Sequence, residues 1–164
     1  MPVEIRNEYT ERLGQGALTR DEDPVTHFCA YFFPYRTGDK EVFLIAHKKS
    51  GLWLSPGGHI DPGETPIATV AREMKEELKI SDTLRGDETP GLLTITRINR
   101  DIRRCKTHYD IWYFIPMDGK ILATKKEGEF DDARWVSLAE ARGMVTDKNN
   151  LKAIDFIEKN IFGN

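Results

Sequence analysis

Glu73, Glu76 and Glu77 stand in one stretch of sequence with Arg72, and Glu64 lies a short way upstream. On a helix, residues three and four apart project from nearly the same face, so these three carboxylates would crowd together. Such a cluster repels itself unless a positive charge sits among its oxygens. Hard divalent cations such as Mg²⁺ or Mn²⁺ take carboxylate and carbonyl oxygens, and that is the chemistry this spacing suits.

The segments around the glutamates are built to position them. Ile67, Val70, Ala71, Met74 and Leu78 recur with a helical period and make the opposite face apolar, so one helix carries a core face and an acidic face. Thr65 can cap that helix, and Pro66 suits its first position. Residues 53–59, Trp-Leu-Ser-Pro-Gly-Gly-His, end an apolar run in a turn whose glycines let backbone approach a ligand closely. A Glu/Lys-rich helix is often only a solvated face. The Gly/Pro-rich loop directly before this one argues for a site instead.

Residues 58–80 resemble the box of the Nudix hydrolase superfamily, G-x5-E-x7-R-E-U-x-E-E-x-G-U with U a bulky aliphatic residue. Gly58, Glu64, Arg72, Glu73, Met74, Glu76, Glu77 and Ile80 fall on that pattern. Lys79 departs from it, standing where the family has glycine. A glycine there would close the helix in a left-handed conformation, so its loss puts about 1 kcal/mol of strain, or a shifted cap, at the helix end. The resemblance implies an α/β fold, an α/β/α sandwich with a mixed, partly curled sheet. It also implies metal-dependent hydrolysis of a diphosphate linkage in a nucleoside diphosphate joined to another moiety, with Mg²⁺ or Mn²⁺ as cofactor. Glu73, Glu76 and Glu77 are then the metal set and catalytic carboxylates, with a backbone carbonyl at Gly58, or at the adjacent Gly57, beside them. Glu64 and Arg72 are expected to pair and pin the loop to the helix, which leaves Arg72 on substrate phosphate as the alternative.

Relatives often add a carboxylate in a loop before a Trp-containing strand. Glu129 has the better spacing to Trp135, and Glu127 is the second choice. Arg97, Arg100, Arg103, Arg104 and Lys106 form a basic cluster, and Arg100, Arg103 and Arg104 are candidates for substrate phosphates. A solvated hairpin loop is the competing reading. Phe28, Ala30 and Phe32, and separately His108, Asp110 and Trp112, each share a strand face by period two. Either set could floor a nucleobase pocket, with Trp112 as the stacking candidate, or simply be core. His27, His47 and His59 show no ligand spacing, and Cys29 and Cys105 make no zinc pattern.

The 164 residues, 39% of them hydrophobic, suit a single domain over 1–164 with residues 1–24 as an N-terminal extension. A mean hydropathy of −0.52 and the lack of a long apolar run point away from a membrane span. The net charge of −3 points away from general nucleic-acid binding. Two cysteines and no apolar leader suit a reduced, cytoplasmic protein acting on a small nucleotide or diphosphate, and a homodimer is compatible with the family. Helices are expected over 3–13, in the box, over 138–144 and over 150–162. Strands are expected over 25–33, 41–47, 52–54, 92–98, 109–115 and 133–136. Two other functions share the fold: a nucleotide-sensing module binding ADP-ribose-like ligands, which typically lacks the box carboxylates, and an isopentenyl diphosphate isomerase, whose cysteine pattern is not matched here.

Overall fold

The computed structural model describes residues 2–81, 84–99, 105–117 and 130–163. Its elements run α1 (Val3–Gly14), β1 (Thr26–Arg36), β2 (Glu41–His47), β3 (Leu52–Leu54), β4 (Gly57–His59), α2 (Pro66–Leu78), β5 (Leu92–Arg97), β6 (Thr107–Pro116), β7 (Phe130–Ser137), α3 (Leu138–Met144) and α4 (Lys148–Asn160). The aromatic and β-branched runs form the strands, and the order agrees with the sequence reading apart from β4. Residues 57–59, read as loop, pair antiparallel with Cys29, Ala30 and Tyr31 of β1. No propensity favours a Gly-Gly-His strand; pairing with β1 supplies it.

The sheet has the path β3-β2-β1-β6-β5, with β7 added to β2 and β4 to β1. β1 and β6 run parallel while the other pairs are antiparallel, so the sheet is mixed. β1 pairs with β2 only at Tyr35 and Arg36 and takes β4 as partner at residues 29–31. The strands β2 and β3 therefore diverge from β1 toward its N-terminal half, and the site occupies that opening.

Helices cover both faces, as the α/β/α expectation requires. On one side, Tyr9 of α1 and Val70, Met74 and Leu78 of α2 pack against Phe28, Ala30, Phe32, Phe43 and Ile45. On the other, Ala141 of α3 and Ala153, Ile154 and Ile157 of α4 pack against Phe33, Val42, Leu44 and Trp112. Phe28, Ala30 and Phe32 are thus core, and a base-stacking role for them is excluded by the helices that cover them. Helix α1 is tied in by Tyr9, whose hydroxyl donates to the carbonyls of Thr94 (2.8 Å) and Asp110 (2.5 Å) on neighbouring strands.

Helix α2 starts and ends by identifiable chemistry. Thr65 Oγ1 accepts from the Ala68 N–H at 3.3 Å and Pro66 follows it, a cap worth about 1 kcal/mol. The apolar face differs from expectation at Ala71, which is exposed, while Thr69 is fully buried. Thr69 tolerates burial because its hydroxyl donates to Glu64 at 2.7 Å. At the other end Lys79 takes the left-handed conformation, φ 57°, and its N–H reaches the Met74 carbonyl. The turn expected of glycine is therefore kept, with a side chain bearing its strain.

Candidate active site

A cavity of about 770 Å³ lies in the opening of the sheet. Gly57, Gly58 and His59 of β4 and Glu73, Glu76 and Glu77 of α2 line one part of it. Tyr31, His108, Asp110 and Trp112 from β1 and β6 line another, and Ile45, His47, Leu52 and Leu54 from β2 and β3 a third. The three glutamates differ in exposure. Glu77 is 8% exposed, the Glu73 side chain 12%, and the Glu76 side chain 60%. The set is graded from the cavity wall to the solvent edge.

Arg72 is the hub behind these carboxylates. Its Nε donates to Glu64 Oε1 at 2.9 Å, and Nη2 donates to Glu64 Oε2 at 3.2 Å and to the His59 carbonyl at 3.1 Å. Nη1 donates to Glu73 Oε1 at 2.8 Å and to Glu76 Oε2 at 3.4 Å. The guanidinium fork joins the loop, β4 and α2 in one network. Arg72's hydrogen bond holds the Glu64 carboxyl below its ordinary pKa, helped by Thr69 and against the cost of desolvation.

Gly58 has a steric reason to be glycine. A Cβ at that position would overlap Glu73 Oε1, so the missing side chain is what lets the carboxylate rest on the strand. Gly57 has φ 146°, and a Cβ there would stand 2.5 Å from the Ala30 carbonyl oxygen. Helix α4 braces the same turn, because Asn150 Oδ1 accepts from the Ser55 N–H at 2.8 Å.

On the apolar side Trp112 is 1% exposed. It stacks on Tyr31 with centroids 5.0 Å apart and donates from Nε1 to Thr94 Oγ1 at 2.8 Å. Its neighbour Asp110 is buried, and desolvation pushes its carboxyl up to about 7 even though hydroxyls of Thr94 (3.0 Å) and Thr96 (2.6 Å) donate to it. Arg97, from the basic cluster, lines the cavity and pairs with Glu8 of α1. Arg100, Arg103, Arg104, Glu127 and Glu129 lie outside the described residues.

The structure also assembles a group that sequence spacing did not suggest. His27, His59, Cys105 and His108 place one ligand atom each within 4.8 Å of the others. Three of the chain's four histidines are therefore in one place. His59 alone lies in the box, so the sequence carried no signal for the group; the pairing of β1 with β6 and of β1 with β4 assembles it.

A NUDIX domain family model matches residues 25–159. The asymmetrical bis(5'-nucleosyl)-tetraphosphatase of Mus musculus is 27% identical over 119 residues, covering 70% of this chain and 76% of that protein. The RNA pyrophosphohydrolase of Xanthomonas campestris pv. campestris is 29% identical over 110 residues, covering 60% of this chain and 53% of that one, so the match spans about half of its length. Among solved structures, the E. coli dihydroneopterin triphosphate pyrophosphohydrolase superposes with a TM-score of 0.67 at 20% identity, covering 84% of this chain and 96% of that one. A C. elegans Ap4A hydrolase complex does so with a TM-score of 0.62 at 18% identity, covering 84% and 98%. At these identities the structural matches speak for the fold.

Proposed function

The chain belongs to the NUDIX domain family and is a diphosphate hydrolase of the Nudix type, and on that premise we propose that it is metal-dependent. Its proposed substrate is a nucleoside diphosphate joined to another moiety. The observation that carries this reading is the carboxylate set of α2 facing one cavity, with Glu73 resting against the bare backbone of Gly58 and gripped by Arg72.

That donor set fits a hard divalent cation. It offers oxygens only: Glu73, Glu76, Glu77 and, as the proposed backbone ligand, the Gly58 carbonyl. Mg²⁺ or Mn²⁺ held there would neutralise charge on the phosphate oxygens and acidify a bound water. The remaining work falls to the chain. A glutamate of the same set takes the proton of the attacking water, which requires it to be ionised and within hydrogen-bond reach. Arg72 keeps Glu64, Glu73 and the His59 carbonyl in fixed relation, so its role is to position the carboxylates. Half-buried Tyr31, backed by the buried Trp112 ring stacked against it, offers an apolar wall for the nucleoside end. Glu129 as a further carboxylate, and Arg100, Arg103 and Arg104 as phosphate contacts, are proposed from the sequence. The names of the relatives from Mus musculus and Xanthomonas campestris support a substrate with a nucleotide and a phosphate chain.

The test is a panel of dinucleoside polyphosphates, ADP-ribose, coenzyme A and NADH incubated with Mg²⁺ or Mn²⁺ and analysed for phosphorylated products. Turnover of at least one compound, abolished in Glu73→Gln, is expected. If the folded protein splits none of them, or Glu73→Gln splits them equally well, the reading fails.

A further inference from the structure

We propose that His27, His59, Cys105 and His108 form a second metal site, separate from the α2 carboxylates, that binds a thiophilic tetrahedral ion of the Zn²⁺ class. The donors are three imidazoles and one thiol, with one ligand atom from each within 4.8 Å of the others. Cys105 Sγ is 3.4 Å from His27 Nε2 and 2.6 Å from His108 Nε2. The three rings lie close together, with centroid separations of 4.8 Å (His27–His59), 5.0 Å (His27–His108) and 5.3 Å (His59–His108). With Zn–N near 2.0–2.1 Å and Zn–S near 2.3 Å, tetrahedral ligand atoms stand ~3.4–3.6 Å apart. Binding an ion would open the Cys105–His108 separation of 2.6 Å and draw in ligand atoms that stand up to 4.8 Å apart.

Two further features mark a built site. His27 is fully buried, and its Nδ1 stands 2.9 Å from the Asp23 carbonyl. Donating its proton there leaves Nε2 as the lone-pair nitrogen facing Cys105, the outer-shell arrangement common to histidines that bind metal. A second cavity of about 550 Å³, lined by Arg20, Asp21, His59, Cys105 and His108, opens the group to solvent and gives an ion a way in.

Imidazole and thiolate select Zn²⁺-like ions, whereas Mg²⁺ takes oxygen ligands and is bound poorly by such donors. Four protein ligands close the coordination sphere, which makes the role structural. Such an ion would clip β1 through His27, β4 through His59, and the start of β6 through Cys105 and His108. Because β4 also carries Gly58, the clip would steady the strand on which Glu73 rests.

The experiment is a Co²⁺ titration of the full chain under reducing conditions, with excess Mg²⁺ present to occupy the carboxylates. The expected result is about one equivalent of Co²⁺ bound with a thiolate-to-cobalt charge-transfer band, abolished by Zn²⁺, and a Tm raised by about 5 °C when Zn²⁺ is bound. Cys105→Ser, checked for folding by circular dichroism, should lose the band, and His108→Gln should bind at least about 10-fold more weakly. Glu77→Gln and Cys29→Ser should keep the band, which separates this site from the carboxylates. No band in the wild type, or a band that survives Cys105→Ser, overturns the proposal. A band lost in Cys29→Ser and kept in Cys105→Ser also overturns it, moving the ion to the neighbouring group of Cys29, His108 and Asp110. Because the readout is binding rather than turnover, its failure is distinguishable from failure of the hydrolase reading.

Discussion

The carboxylates of α2 share a cavity with His59 and His108 of the imidazole–thiol group, yet the two clusters are assembled in opposite ways. Glu73, Glu76 and Glu77 are neighbours because one helix turns every 3.6 residues, so their proximity is written in a five-letter stretch. His27, His59 and the Cys105–His108 pair come from three separate segments, and only strand pairing makes those segments neighbours. The first cluster offers oxygens and the second nitrogen and sulfur. Local periodicity built the cluster proposed for a hard ion, and sheet register the one proposed for a softer ion.

Chelation tests that division most strongly. In EDTA, turnover should become negligible and return on adding Mg²⁺ or Mn²⁺ alone, because only the oxygen cluster is asked to serve the chemistry. Hydrolysis of a good substrate that persists in EDTA would break the assignment. Recovery that needs Zn²⁺ as well would merge the two clusters into one functional unit.

Glu77→Gln comes next. It keeps the shape of a nearly buried side chain, the proposed metal ligand, and removes its charge, so kcat should fall by about 10²-fold or more, the scale of losing one electrostatic contributor. The fold should survive, because the amide no longer repels Glu73 and Glu76. Steady-state kinetics beside a thermal melt will read both, and near-normal kcat would place the main ligand elsewhere.

Arg72→Ala tests the network beneath the carboxylates. Losing its bonds to Glu64, Glu73 and the His59 carbonyl should cost about 2 kcal/mol of stability, discounted for partial exposure, and lower turnover roughly tenfold. The acid side gives a sharper reading in metal-free protein. Glu64's folded pKa lies below its ordinary value, so the stability it contributes is present above the ordinary glutamate range and lost as pH falls through the lowered value. Denaturant melts from neutral pH into the acid range should therefore be less steep with pH in Arg72→Ala than in the wild type. Equal slopes would remove Arg72 as the cause of the shift.

Lys79→Gly gives the smallest effect. The left-handed conformation costs a side chain roughly 1–2 kcal/mol, and glycine's looser unfolded chain takes back 0.5–1, so about 0.5–1 kcal/mol of stabilisation should remain. Turnover should not change. A destabilised variant would mean that the lysine side chain contributes more at the helix end than its backbone strain costs.

Helix α2, its Thr65 cap, its acidic face and the strands β2 and β3 could be read from the residues alone, because each depends on neighbours a few positions away. The helix end was legible only as a choice between a strained left-handed turn and a shifted cap, and the structure takes the left-handed turn with lysine in glycine's place. The exchange of Ala71 for Thr69 on the buried face was not legible, since it depends on Glu64 arriving from the preceding loop to satisfy a hydroxyl. Strand β4 was hidden for the same reason, because Gly57 and Gly58 have no strand propensity and take their conformation from β1. The burial of Phe28 and Phe32 under one helical layer, and the placing of Tyr31, Asp110 and Trp112 at the cavity wall on the other face, depended on which helices cover which side. Sequence therefore determined the local chemistry: a capped amphipathic helix with carboxylates at helical spacing behind a glycine turn. Tertiary structure decided which distant residues meet, because the parallel register of β1 with β6 and the short pairing of β1 with β4 are long-range choices, and they alone bring three histidines and a cysteine together.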